Sequence, residues 1–139
     1  MPNKRIFNIY CDASATPGIY NKGEKGSAGI GYVIKDCSKG GVLYSHSCSC
    51  KYGRNINKLE LNALTAAVRS SMQHIPAGSS VNVFSDNQCA IRLFPTEKEV
   101  LYKTVCNHFN EVVFLCINRN DNKEAHKLAL TANRNARCG

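Results

Sequence analysis

Apolar positions run almost without interruption from Arg5 to Ala13, through Ile6, Phe7, Ile9, Tyr10 and Cys11, and predict a central strand covered on both faces. The strand ends on a carboxylate, Asp12. After a Gly-rich turn from Thr16 to Gly26, Ser27 to Lys35 reads as a second strand, whose Ala28, Gly29 and Gly31 permit close backbone approach. Asp, Ser, Lys and Gly between Asp36 and Gly41 predict a hairpin turn, and Val42 to Lys51 a third strand. These three strands make an antiparallel meander.

The period then changes. Leu61, Leu64, Val68 and Met72 recur at helical spacing and predict a helix from about Asn57 to Gln73. Asn57 is placed to cap it, with Glu60 completing a capping box. Pro76 to Gly78 break the chain before Val81 to Asp86, a short strand that again ends on Asp. Asn87 to Phe94 form a short helix that Pro95 stops, and Thr96 with Glu99 marks a second capping box for a helix to about Asn110. Val112 to Ile117 are a buried strand. Beyond the loop Asn118 to Asn120, Asp121 and Glu124 form a third capping box for a helix through His126, Leu128 and Ala129, and the Asn- and Arg-rich tail to Gly139 frays. Strands joined through helices pair in parallel by right-handed crossovers, so the expectation is one α/β domain over 1–139, its mixed five-stranded sheet flanked by helices.

Composition adds a field. Eighteen Lys and Arg against ten Asp and Glu leave +8, which favours polyanionic partners such as nucleic acid or an anionic membrane surface. Eight Cys would suit a secreted disulfide scaffold, but Met1 to Arg5 lead straight into a strand without an apolar signal segment, so the thiols are read as reduced and the compartment as intracellular. Cys11, Cys89, Cys106 and Cys116 lie in apolar segments and read as packing residues. His46, Cys48 and Cys50 alternate on one strand and are a weak candidate for zinc, because neighbours on one strand face wrap a tetrahedral ion poorly. No run reaches the roughly 18 apolar residues of a spanning helix. A soluble monomer without a membrane partner is expected.

The chemistry lies in the carboxylates. Ligands gather at the carboxyl ends of parallel strands in such a sheet, and Asp12 and Asp86 each sit at one, with Glu60 in the first turn of the intervening helix. Glu60 has a second reading as a plain helix cap. Three carboxylates at one point repel unless divalent cations neutralise them, and hard oxygen donors suit magnesium or manganese.

Tyr10-Cys11-Asp12-Ala13-Ser14 with Gly26 and Gly29, Asn57-Lys58-Leu59-Glu60-Leu61, Phe84-Ser85-Asp86-Asn87-Gln88, and Asn122 to Ala129 together resemble the four motifs of type 1 ribonuclease H, in order and in approximate spacing. The resemblance spans about residue 5 to residue 132. It implies the ribonuclease H-like fold and a two-metal endonuclease that cuts the RNA strand of an RNA/DNA hybrid to 5′-phosphate and 3′-hydroxyl ends. Asp12, Glu60, Asp86 and His126 would be the catalytic and metal-binding residues, for two Mg2+ or Mn2+ ions. Asn57 and Gln88 would contact the substrate near the scissile bond, and Ser14 either a phosphate or only its own turn.

The chain also departs from that pattern. His126 stands where the family has its fourth Asp, in Asn-x-x-Ala-Asp-x-Leu-Ala. Imidazole binds magnesium poorly and manganese better, so His126 reads as a ligand with shifted metal preference, as a proton shuttle, as the mark of a site that has lost activity, or as a plain helix-surface residue. The non-catalytic nucleic-acid binder of the same fold is therefore the alternative function. Asn118 to Asn120 are too few for the family's flexible loop with a catalytic His, Ala13 replaces a usual Gly, and Lys98, Lys103 and His108 are balanced by Glu97 and Glu99 where a basic substrate handle would lie.

Overall fold

A computed structural model describes residues 5–16, 26–51 and 55–138; most of the Gly-rich turn lies outside them. The five strands are β1 (Ile6–Thr16), β2 (Ser27–Asp36), β3 (Gly41–Lys51), β4 (Ser80–Ser85) and β5 (Glu111–Cys116). They form one sheet in the order β3-β2-β1-β4-β5, antiparallel across β1, β2 and β3 and parallel across β1, β4 and β5. The helices are α1 (Ile56–His74), α2 (Gln88–Glu97), α3 (Glu99–His108) and α4 (Lys123–Cys138). A mixed sheet flanked by four helices is the expected architecture.

The two faces are covered differently. Phe7, Ile9 and Cys11 of β1, Ile34 of β2 and Val81 and Val83 of β4 pack with Leu59, Leu64 and Val68 of α1, Phe94 of α2 and Val105 of α3 into the main core. On the opposite face α4 packs over β1, β2 and β3. The intervening β1 positions, Asn8 and Tyr10, are half-buried, so β1 is fully buried on one face only. There Asn82 donates to Asn8 Oδ1 at 3.0 Å, and Tyr10 stacks on Phe84 with ring centroids 4.9 Å apart.

Glycine sets the separation of α4 from β2. A Cβ at Gly29 would come within 2.4 Å of both the Ala129 carbonyl oxygen and the Asn133 nitrogen, and one at Gly31 within 2.7 Å of the Ala129 nitrogen. Only hydrogen at these positions lets the Ala125, Ala129 and Ala132 face of α4 rest on the strand backbone, and those alanines are buried.

Several local expectations fail for identifiable reasons. β1 does not end at Asp12 but runs on to Thr16, because β2 continues to pair with it from Gly31 to Ser27. The α1 cap is Asn55, whose side chain accepts from the Lys58 N–H at 3.2 Å; Asn57 lies inside the helix and Glu60 closes no capping box. Pro95 does not stop α2, which continues to Glu97. Thr96 donates to the Leu93 carbonyl, and α3 starts behind Lys98 with no side-chain cap. Asp121 ends a 3-10 turn, Arg119–Asp121, and the first α4 bond runs from the His126 N–H to the Asn122 carbonyl. The tail is helical to Cys138, since Asn133 is buried and bonded to Ser27, Ser14 and Thr16. The described cysteines other than Cys138 are free thiols, and no described helix is long and apolar enough to cross a membrane.

Gly31→Ala should lower stability by about 1–3 kcal/mol in denaturant titration, the cost of forcing an extra methyl into a filled contact. A loss of a few tenths of a kcal/mol or none would show that α4 can retreat from the strand freely.

Candidate active site

The sheet register brings two of the carboxylates together. Parallel pairing of β1 with β4 ends at Cys11 opposite Ser85, so the next residues are Asp12 on β1 and Asp86 just past the end of β4. Ser85 is fully buried and its hydroxyl accepts the Asn87 N–H at 3.1 Å, which turns the chain out of β4 just past Asp86. Glu60 enters from the first turns of α1, between the core residues Leu59 and Leu61. Asp12, Glu60 and Asp86 each offer a ligand atom within 4.8 Å of the others.

Asp12 is 2% and Glu60 6% exposed, and the Asp86 side chain 9%. Glu60 Oε2 and Asp86 Oδ2 are buried without a hydrogen-bond partner. Burial, and next the negative charges of Asp12 and Asp86, push the Glu60 carboxyl from its ordinary 4.5 up to about 9. Asp86 is also raised, by burial first and then by Asp12, while Arg119 and His126 pull it the other way. Arg119 Nε stands 3.9 Å from Asp86 Oδ2 on a side chain that is 79% exposed, so the contact is well screened. Like charges crowded in a dry place, with orphaned oxygens, fit a divalent cation: hard oxygen donors are present and their repulsion is what the ion would relieve.

His126 reaches the same place from α4, with Nδ1 2.7 Å from Asp12 Oδ2. Asn57, on the first turn of α1, accepts from Asn87 Nδ2 at 3.1 Å, tying that helix to the turn behind Asp86. Ser14 accepts from Asn133 Nδ2 at 3.1 Å, and Gln88 is exposed at the start of α2. The zinc candidate is not assembled: Asp12, Glu60 and Asp86 are the only three-ligand group among the described residues, and His46 instead packs beside Tyr32 and Tyr44. Two supporting residues stand within the quoted motifs, but the sequence assigned them no role. Asn122, 1% exposed, donates to the Cys11 carbonyl at 2.8 Å and binds the head of α4 to the residue before Asp12. Asn87 caps α2 through the Ala90 N–H at 2.8 Å. Burial of an Asn with a distant backbone partner has no periodicity by which to find it.

The folded chain keeps a proton on Glu60 that the unfolded chain gives up above its ordinary 4.5, so without cations the stability contributed by this group is full below that value and is lost as pH rises toward about 9. In chelator, Tm should drop steadily between those limits, and Glu60→Gln should flatten the drop. Divalent cation should raise Tm more at the alkaline end than at the acid end; a cation effect independent of pH would contradict this account of the site.

No protein-family model matches the chain, and no curated protein matches it. Solved structures do. Ribonuclease H1 of the halophilic archaeon Halobacterium salinarum is 20% identical with a TM-score of 0.74, over 94% of this chain and 99% of that one. LC11-RNase H1, solved in complex with an RNA/DNA hybrid, is 27% identical with a TM-score of 0.73, over 94% of this chain and 98% of that one. The N-terminal RNase H domain of a Mycobacterium tuberculosis protein is 18% identical with a TM-score of 0.74, over 96% of each chain. The chain has the ribonuclease H fold.

Proposed function

We propose that this chain hydrolyses the RNA strand of RNA/DNA hybrids, with Asp12, Glu60 and Asp86 holding Mg2+ or Mn2+. The observation that carries the reading is the convergence of three poorly solvated carboxylates, two of them with orphaned oxygens, at the carboxyl ends of parallel strands. The similarity to LC11-RNase H1, solved with a hybrid, supports the substrate class. Two divalent ions bound with substrate would supply an activated water and charge stabilisation at the leaving 3′ oxygen, leaving 5′-phosphate and 3′-hydroxyl ends.

The protein's own part is to bind and orient. Asn57 spends its carbonyl oxygen on Asn87, which leaves amide hydrogens to donate to a 2′-hydroxyl, the group that marks RNA. Gln88, exposed two residues after Asp86, offers a second amide. Ser14 accepts from Asn133 and keeps its own hydrogen for a phosphate oxygen. The +8 charge draws in both backbones.

A second reading, a non-catalytic hybrid binder, is favoured by one feature. His126 on Asp12 and Arg119 near Asp86 bring basic groups to two of the three carboxylates.

Cleavage of a hybrid labelled on its RNA strand, first in Mg2+ and then in Mn2+, separates the two. Metal-dependent cutting that Asp86→Asn lowers by at least about 100-fold is expected, since a Lewis-acid site is worth several kcal/mol. Hybrid bound but uncut in both metals decides for the binder. In either case affinity should fall steeply between low and moderate salt, measured by filter binding, because most contacts are to phosphates.

A further inference from the structure

His126 approaches Asp12 from the side of α4. Against an ionised carboxylate, which only accepts, the ring Nδ1 at 2.7 Å must carry the hydrogen, and in neutral imidazole the lone pair is then on Nε2. Asp12, Glu60 and Asp86 make up the three-ligand group without the ring, and the carboxylate to which the ring is bonded is Asp12. The Asp12 side chain is 3% exposed and that of His126 38%.

The ring is held where it is by built features. Asn122, immediately ahead of α4 and accepting the His126 N–H on its own carbonyl, donates to the Cys11 carbonyl, so Asn122 and His126 grip consecutive residues of β1. Gly31, paired with Asp12 across β1 and β2, meets Ala125 and Ala129 backbone and lets the helix come that close. A carboxylate at position 126 would add a fourth negative charge. Imidazole adds none and donates a hydrogen bond instead.

We infer that His126 is a positioning residue: its Nδ1–H holds the Asp12 carboxylate in the orientation in which it joins Glu60 and Asp86, and the ring itself does not ligate the cation. This rests on the metal site proposed above and assigns its one departing residue a role behind the ligands, where such partners fix a ligand's orientation and basicity.

The two nitrogens are separable. In His126→Asn the amide nitrogen falls where Nδ1 was, keeping the bond to Asp12 and losing Nε2; in His126→Gln it falls near Nε2, and the bond to Asp12 is lost. Mn2+ binding is titrated by electron paramagnetic resonance on wild type, both variants and His126→Ala, with far-UV circular dichroism as the check on folding. Wild type and His126→Asn should agree within about threefold, while His126→Gln and His126→Ala bind about 10–100-fold more weakly. Electron spin echo spectra of bound Mn2+ should lack the modulation of a directly coordinated nitrogen. The inference is overturned if His126→Gln binds well and His126→Asn does not, if nitrogen coordination is seen, or if all four proteins bind alike. Should His126→Ala fail to fold, the Asn and Gln pair still decides. Wild type that binds no Mn2+ overturns the metal site itself, and this inference with it.

Discussion

Mutual repulsion among Asp12, Glu60 and Asp86 is the constraint around which the rest of the molecule is arranged. Each group is poorly hydrated, and among the described residues no hydrogen-bond donor reaches Glu60 Oε2 or Asp86 Oδ2, the exposed Arg119 standing 3.9 Å from the latter. Such groups separate, or take up protons, unless the scaffold forbids the first and the surroundings permit the second. The tendency toward protons is the upward push that burial and the neighbouring negative charges give the Glu60 and Asp86 carboxyls. A site that keeps charges in reserve in this way is prepared for a cation.

Separation is forbidden by the sheet. Backbone pairing of β1 with β4 fixes Asp12 beside Asp86, and the wholly buried Leu64 and Val68 hold α1 in the core so that Glu60 cannot swing out. On the other face the α4 helix is seated on Gly29 and Gly31 and bonded through Asn122 to β1. The site is therefore supported from both layers, and the core that stabilises the fold also supplies the force that confines the charges. Cys11 belongs to the same economy: burial raises its thiol well above the ordinary value, so it packs beneath the carboxylates as an inert neutral group.

The architecture was legible because each strand and helix has a strong period or a continuous apolar run, and because small residues in β2 announced a close contact. Asp12 and Asp86 were legible for the same reason, standing at the ends of such runs. The errors fall where several oxygens compete for one helix start. Asn55 and Asn57 are both able to cap α1, and the spacing to Glu60 argued for the wrong one; only the packing of Leu59 and Leu61 decides where the first turn begins. Thr96 and Asp121 satisfy the capping pattern equally well and have other places in the fold. The polar tail looked solvated, yet its Asn133 is drawn inward by hydroxyls of β1 and β2 more than a hundred residues away.

By itself the sequence determined the order and kind of the elements, the acidic set and the basic field, since these depend on side-chain chemistry and on periods a few residues long. Tertiary structure alone decided which carboxylates are dry, that Asn57 leans on Asn87, and that His126 meets Asp12 with Nδ1. Those outcomes depend on how far α1 and α4 can approach the sheet, a distance set by glycines and buried volumes from distant parts of the chain.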